Sequence, residues 1–188
     1  MSRNAVYGGL PASPIMRRNL VDIPKWKAWL LGQARGKTGP VPGVRAHGRA
    51  VDKVFGSLIM LVDDEPLAIE VTRVHLEDAG FTRFISTSDP AQGLRLLSEQ
   101  KPDVLLLDLM MPGTNGFEIL KQMESRNILK DVPTIVLTAA TDPESRLRAL
   151  DLGVTEFLSK PADPIELVMR VSNTLAAKAY WQGCWEAG

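Results

Sequence analysis

From Ser57 onward, the sequence alternates short apolar runs with longer segments whose apolar residues recur at helical spacing. This alternation is typical of a parallel β-sheet whose strands are joined by helices, so it predicts an α/β domain. Five strands are predicted, at Leu58–Val62, Phe84–Ser86, Val104–Leu107, Thr134–Leu137 and Val154–Leu158. Five helices are predicted, at Pro66–Ala79, Pro90–Gln100, Phe117–Ser125, Pro143–Leu152 and Pro164–Trp181.

The first of these helices is predicted to be amphipathic. Its polar residues Glu70, Arg73 and Glu77 are expected to face solvent. The helix is expected to pack against the sheet through its apolar residues, which are Leu67, Val71, Val74 and Leu76.

The net formal charge of the chain is zero, but charge is unevenly distributed along it. Residues 1–56 hold ten basic and two acidic residues, whereas residues 57–188 hold twelve basic and twenty acidic ones. Prolines and glycines interrupt residues 1–56, which are therefore predicted to be a largely disordered extension. Within it, Lys25–Arg35 has the spacing of a short amphipathic helix with Trp26, Trp29 and Leu30 on one side. This basic extension is expected to be either a solvated tail or a contact for an anionic membrane surface, nucleic acid or a partner.

Composition and length exclude several classes of protein. With 45% hydrophobic and 23% charged residues, the chain has ordinary globular composition. No apolar run reaches the roughly 18 residues of a membrane span, and the N-terminus lacks a secretory signal pattern, so a cytoplasmic location is expected. The single cysteine, Cys184, excludes an internal disulfide and a cysteine-rich metal site.

Polar or small residues follow four of the five predicted strands. In open α/β sheets, ligands bind outside the carboxyl ends of the strands, so these residues are expected to meet at one edge. They are Asp63 and Asp64 after the first strand, Asp108 after the third, Thr138 and Ala139 after the fourth, and Lys160 after the fifth.

The three carboxylates among them predict a metal site. Neighbouring carboxylates repel one another and resist burial unless a hard divalent cation joins them. Mg²⁺ is the expected ion, held by Asp63 or Asp64, by Asp108 and by the main-chain carbonyl of Met110.

A carboxylate beside Mg²⁺ can attack phosphorus to form an acyl phosphate, which makes Asp108 the candidate nucleophile. Lys160 is expected to pair with one phosphoryl oxygen, Thr138 to donate a hydrogen bond to another, and Mg²⁺ to hold the third. Small Ala139 would leave the approach open, and Met111-Pro112-Gly113 would set the loop that presents Asp108. Taken singly, each residue also has an ordinary role as a turn, cap or solvated loop residue.

The motifs that carry these residues resemble the receiver domain of two-component response regulators, of the chemotaxis-regulator kind. Asp63, Asp108, Thr138 and Lys160 stand 45, 30 and 22 residues apart, and the resemblance spans residues 57–180. It implies a flavodoxin-like, doubly wound (βα)5 fold with strand order 2-1-3-4-5. It also implies phosphotransfer from a histidine kinase or phosphotransfer protein to Asp108, catalysed by the receiver itself. The motifs are Leu61-Val62-Asp63-Asp64-Glu65-Pro66, Leu107-Asp108-Leu109-Met110-Met111-Pro112-Gly113, Thr138-Ala139 and Lys160-Pro161.

The resemblance further implies a switch made by Thr138 and Phe157. Thr138 would move toward the phosphoryl group and Phe157 would rotate into the vacated space. The change would be read by an effector on the face of helix four, strand five and helix five. Phe157 lacks the hydroxyl of regulators that carry tyrosine at this position. Side chains at the Met110 and Ala140 positions help to set the lifetime of the acyl phosphate in the family.

Several alternatives remain open at this point. Residues 181–188 are too few for an output domain, so the chain is read as a stand-alone receiver. Homodimerisation is left open, and no direct DNA binding by the receiver is expected. Arg170–Lys178 looks like the helix that leads to cyclic-di-GMP domains in larger regulators, which makes a fragment of such a regulator the first alternative. The others are a pseudo-receiver that never carries phosphate and an aspartyl-phosphate phosphohydrolase. In hydrolases of that kind, a second Asp stands two residues after the nucleophile. This chain has Met110 at that position, so an enzyme with turnover is not expected.

Overall fold

The computed structural model of the protein describes residues 54–111, 115–139 and 143–179, and the helical backbone continues to residue 186. The basic extension up to residue 53, with its Lys25–Arg35 segment, lies outside the described residues, as do Pro112, Gly113 and Ala140. The division of the chain at residues 56 and 180 therefore stays a prediction.

Five parallel strands form one sheet in the order β2-β1-β3-β4-β5. This order confirms the expected doubly wound, flavodoxin-like topology. The strands are β1 (Leu58–Val62), β2 (Arg83–Thr87), β3 (Val104–Leu107), β4 (Thr134–Thr138) and β5 (Glu156–Ser159). The helices are α1 (Pro66–Asp78), α2 (Pro90–Gln100), α3 (Gly116–Ser125), α4 (Pro143–Asp151) and α5 (Pro164–Glu186), with a 3-10 turn at Ile128–Lys130.

The helices cover both faces of the sheet. α1 and α5 contact each other on one face, and α2 and α3 contact each other on the opposite face. α4 joins the second face through Ala149, which belongs to the same buried cluster as Leu97 of α2 and Phe117 of α3. Because both faces are covered, every residue of β3 is buried, which explains its uninterrupted apolar run.

Local sequence explains where most of these helices begin. Asp89 accepts a hydrogen bond from the Ala91 N–H at the start of α2, and Asn115 accepts one from the Phe117 N–H at the start of α3. Asp163 accepts from two N–H groups in the first turn of α5. These side chains satisfy N–H groups that a helix leaves unpaired at its N-terminus.

The predicted inward-facing side of α1 is wrong, although Glu70 and Glu77 are exposed as expected. Of the expected inward set only Leu76 is buried, whereas Leu67, Val71 and Val74 are 75%, 47% and 46% exposed. Ile69, which the prediction omitted, is buried with Leu76. Both sets have helical spacing, so the sequence offers two apolar sides, and the sheet packs against the one through Ile69 and Leu76.

The exposed side of α1 borders a groove of about 590 Å³. Leu67 and Val71 of α1 line it on one side and Leu167 of α5 on the other. The groove extends to Lys160 and Ala139, at the carboxyl edge of the sheet.

Some predicted ends also differ from the structure. β5 begins at Glu156 rather than Val154, because its pairing with β4 starts at Glu156, whereas Val154 is buried just before the strand. α5 continues to Glu186, beyond the predicted end at Trp181. The remaining strands and helices match their predicted bounds to within one residue at each end.

Candidate functional site

Two aspartates lie side by side at the carboxyl edge because β1 and β3 are neighbours in the sheet. Asp63 follows β1 and Asp108 follows β3, and the Asp108 N–H donates to the Val62 carbonyl at 2.9 Å. Asp63 and Asp108 are buried, with exposures of 6% and 5%, and Asp64 is half-buried. One carboxylate oxygen of each lies within 4.8 Å of the others. The predicted acidic residues are therefore brought together.

Lys160 crosses from β5 to join this cluster. Its Nζ lies 2.5 Å from Oδ2 of Asp108 and 2.6 Å from Oδ2 of Asp63. Its main-chain N–H donates to the Thr138 carbonyl at 3.0 Å, which ties the end of β5 to the end of β4. The lysine thus bridges the two buried carboxylates from the far side of β4.

The second oxygen of each buried aspartate accepts a main-chain hydrogen bond. Oδ1 of Asp108 accepts from the Met110 N–H at 2.9 Å, and Oδ1 of Asp63 accepts from the Glu65 N–H at 3.1 Å. Each carboxylate is therefore fixed with one oxygen toward the backbone and the other toward Lys160. This arrangement orients Asp108 before any ligand arrives.

The ionisation of the cluster follows from burial and charge. Burial raises the pKa of Asp63 above its ordinary value of 3.8, and hydrogen bonds from Lys160 and Glu65 only partly offset that rise. Burial alone would lower the pKa of Lys160, but hydrogen bonds and attraction from Asp108 and Asp63 hold it above 10.5. The lysine is therefore a stable cation beside the two buried carboxyl groups.

The remaining predicted residues lie on β4 and β5. Thr138 is buried as the last residue of β4, and Ala139 is exposed directly after it. Phe157 of β5 is half-buried and packs against the core cluster that includes Val136 and Ala149. Since Thr138 pairs with Ser159 and Val136 with Phe157, the side chains of Thr138 and Phe157 lie on the same face of the sheet.

Two predicted features, the Met110 carbonyl as a metal ligand and the loop after Asp108, are only partly described by the structure. The Met110 side chain is 59% exposed, and its N–H is the group that contacts Asp108. A role for the Met110 carbonyl as a metal ligand stays a prediction. The loop proposed to present Asp108 is described only up to Met111, so its predicted role also stays a prediction.

Gly116 is a positioning residue that sequence reasoning missed. A Cβ at this position would lie 2.3 Å from the Asp108 carbonyl oxygen and 2.8 Å from the Leu109 Cα. The Gly116 N–H also donates to the Leu109 carbonyl at 3.3 Å. The start of α3 therefore rests directly on the backbone of Asp108. Asn115 is a residue type that favours a helix start, but nothing in the sequence signals this close approach.

A buried aspartate bridged to a lysine, beside two more carboxylates at the edge of a 2-1-3-4-5 sheet, defines a receiver-type α/β domain. The family model for the response regulator receiver domain matches residues 59–172, which is more than half of the chain. The chain therefore belongs to the response regulator receiver domain family.

Individual relatives agree with this assignment. The phosphate regulon transcriptional regulatory protein PhoB of Pseudomonas aeruginosa is 34% identical over 65% of this chain and 53% of PhoB. Response regulator SaeR of Staphylococcus aureus is 35% identical over 62% of this chain and 50% of SaeR. The structure of chemotaxis response regulator CheY4 of Vibrio cholerae matches with a TM-score of 0.58 and 27% identity, over 63% of this chain and 98% of CheY4.

These matches concern one part of the curated relatives. The chain spans about half the length of PhoB and SaeR. Among the described residues, no helix combines the length and the hydropathy that crossing a membrane requires.

Proposed function

We propose that this chain is a phosphorylation switch in which Asp108 accepts a phosphoryl group from a histidine kinase or a phosphotransfer protein. The observation that carries the proposal is the Asp108 carboxylate, buried and 2.5 Å from the Lys160 ammonium. A buried carboxylate with an adjacent fixed cation is a suitable nucleophile for a negatively charged phosphoryl group. Family membership supports the same role.

The acidic cluster fits Mg²⁺. Its donors are carboxylate oxygens, which hard divalent cations prefer, and three of them lie within 4.8 Å of one another. The cluster also holds three carboxyl groups, whereas Lys160 supplies one positive charge beside them. We assign Asp63, Asp64 and Asp108, with the Met110 carbonyl, to the metal. When bound, Mg²⁺ neutralises charge on the phosphoryl oxygens.

Phosphotransfer to Asp108 exchanges one bond to phosphorus for another. A carboxylate oxygen of Asp108 forms a bond to phosphorus, and the bond between phosphorus and the donor's imidazole nitrogen breaks. The electron pair of that bond leaves with the imidazole, which takes up a proton. Lys160 moves from pairing with the free carboxylate to pairing with a phosphoryl oxygen, Thr138 donates to a second, and small Ala139 leaves the approach open.

The output is proposed to be a change in packing on the face formed by α4, β5 and α5. Thr138 moves toward the phosphoryl group and Phe157 rotates into the vacated space, a motion supported by their common face of the sheet. Leu147 and Leu150 of α4 are 62% and 46% exposed. Exposed apolar residues of this size suit a contact with an effector protein or a second copy of the chain.

The chain is proposed to be a signalling phosphoacceptor in the cytoplasm and not an enzyme with turnover. Met110 supports this proposal, because it stands where phosphohydrolases of similar chemistry carry a second Asp. Output through protein contacts is proposed, without direct DNA binding by the receiver. Contact of the basic extension with a membrane or nucleic acid stays a prediction.

Intact-mass spectrometry tests the proposal. The protein is incubated with acetyl phosphate, with and without Mg²⁺, as wild type, Asp108→Asn and the control Asp131→Asn, which changes an exposed aspartate. We expect a Mg²⁺-dependent, acid-stable and base-labile adduct on the wild type and Asp131→Asn, and none on Asp108→Asn. Folded wild-type protein without an adduct would contradict the proposal and favour a pseudo-receiver.

A further inference from the structure

We propose that Arg146 of α4 holds Phe157 in its unphosphorylated orientation and thereby sets the position of the switch equilibrium. The Cζ atom of Arg146 lies 5.2 Å from the centroid of the Phe157 ring. This distance is within the roughly 6 Å over which a guanidinium is attracted to an aromatic face. The inference rests on the proposed function, in which Phe157 moves after Asp108 is phosphorylated.

Phe157 needs a cation–π contact to fix the orientation of its ring, because its side chain has no polar atom. A hydroxyl at this position could fix the ring through a hydrogen bond, but a phenylalanine ring can be oriented only by packing and by its π face. The ring is half-buried and reaches the core cluster on one side. The guanidinium of Arg146 supplies a directional contact from the exposed side.

α4 is held by few packing contacts, so a single further contact can change its interaction with β5. Of its nine residues only Ala149 is buried, so packing anchors the helix weakly. A second arginine on the same helix, Arg148, lies 4.5 Å from the ring centroid of Phe117 in α3. Each arginine thus joins α4 to a different neighbour, and only Arg146 contacts the residue proposed to move.

The direction of the effect follows from the proposed rotation of Phe157. In the proposed switch the Phe157 ring rotates inward, into the space that Thr138 vacates, and we infer that this rotation takes it away from the exposed Arg146 guanidinium. The contact therefore stabilises the unphosphorylated orientation and makes the active one rarer. A ligand or contact can shift a two-state equilibrium only by its difference in interaction between the two states. For an exposed cation–π contact, we expect this difference to change the equilibrium constant about 2- to 5-fold.

The first measurement is the initial rate of adduct formation with acetyl phosphate and Mg²⁺, followed by intact mass. Arg146→Met keeps an apolar stem and removes the charge, so we expect a rate about 2- to 5-fold above wild type, because more of the protein is in the competent state. Arg146→Lys retains a cation and should stay near the wild-type rate. Arg148→Met is the matched control on the same helix and should not accelerate the reaction.

The second measurement reports on the ring itself. Full-length protein labelled with 4-fluorophenylalanine carries five fluorines, and Phe157→Leu assigns the signal of interest. Before phosphorylation, the Phe157 signals of wild type and Arg146→Met should differ. After phosphorylation they should converge, because the ring has then left Arg146 in the wild type as well.

The outcomes separate this inference from the proposed function. If the wild type forms an adduct but Arg146→Met is no faster, or Arg148→Met is equally accelerated, Arg146 does not set the equilibrium. Fluorine signals that differ equally before and after phosphorylation would also overturn the inference. If the wild type forms no adduct at all, the proposed function fails, and the inference fails with it. An unfolded variant cannot imitate the expected result, since the expected change is a gain in rate.

Discussion

Replacing Gly116 with alanine places a methyl group where the backbone of Asp108, the proposed phosphoacceptor, already lies. The added Cβ would stand 2.3 Å from the Asp108 carbonyl oxygen and 2.8 Å from the Leu109 Cα. Ordinary contact for such a carbon begins at 3.4 Å, so either the start of α3 or the Asp108 backbone must move by about 1 Å. Because the nearest atoms belong to the backbone, no side-chain rotation can relieve the overlap.

The displacement should affect both stability and chemistry. Overpacking of this kind costs about 1–3 kcal/mol of unfolding free energy. A shift of about 1 Å in a reacting group can reduce a rate by about 100-fold. We therefore expect Gly116→Ala to lower the unfolding free energy by about 1–3 kcal/mol. The rate of adduct formation with acetyl phosphate should also fall, by up to about 100-fold.

Gly93 provides a matched control inside α2. A Cβ there would lie 3.5 Å from both Val62 methyl carbons, which is ordinary contact. Gly93→Ala should therefore stabilise the protein by about 0.5–1 kcal/mol, because alanine has the higher helix propensity. Urea unfolding of both variants measures the two changes. A Gly116→Ala protein as stable and as reactive as the wild type would refute the claim that α3 rests on the acceptor backbone.

Three further predictions use the same two assays. Leu67→Ser should change the unfolding free energy by less than about 0.5 kcal/mol in urea, because the side chain is exposed. Leu76→Ala should cost about 2–5 kcal/mol, and equal effects of the two substitutions would contradict the orientation of α1. Mg²⁺ at 100 times its dissociation constant should stabilise the wild type by about 2.7 kcal/mol. Asp64→Asn should lose most of that gain while Leu67→Ser retains it, and full stabilisation of Asp64→Asn would remove that residue from the metal site. Lys160→Met should slow adduct formation about 10²- to 10³-fold in an intact-mass time course, and an unchanged rate would contradict the role of the ammonium.

Much of the fold could be predicted because buried strands and covering helices leave different spacings of apolar residues. β1 and β3 match their predicted bounds, since both strands are central and their apolar runs end at charged residues. The strand order was predicted from a resemblance to a family, and the observed sheet confirms it. Composition and spacing alone do not specify the order of strands.

The orientation of α1 could not be predicted from spacing alone. Leu67, Val71 and Val74 satisfy a helical period as well as the buried residues Ile69 and Leu76 do. The choice between the two sides depends on how the helix meets the sheet and α5, which are contacts distant in sequence. One apolar side of α1 is consequently left exposed.

The candidate site shows the same limit. The convergence of Asp63, Asp64, Asp108 and Lys160 follows from their places at strand ends in a parallel sheet. Lys160 contacts both Asp63 and Asp108 only because β4 sets the distance between the ends of β5 and β3. That distance depends on strand packing, which residue spacing does not reveal. The close contact between Gly116 and the Asp108 backbone likewise forms only when α3 packs against the sheet.

The most direct test of Asp108 as the phosphoacceptor is chemical localisation of the phosphoryl group. Borohydride reduces an aspartyl phosphate to homoserine and leaves an unmodified aspartate unchanged, so the modified residue can be read by peptide sequencing in a mass spectrometer. After treatment of the wild-type protein with acetyl phosphate and Mg²⁺, we expect homoserine at position 108 and aspartate at positions 63 and 64. Homoserine at another position, or none in a protein that carries the adduct, would contradict the assignment.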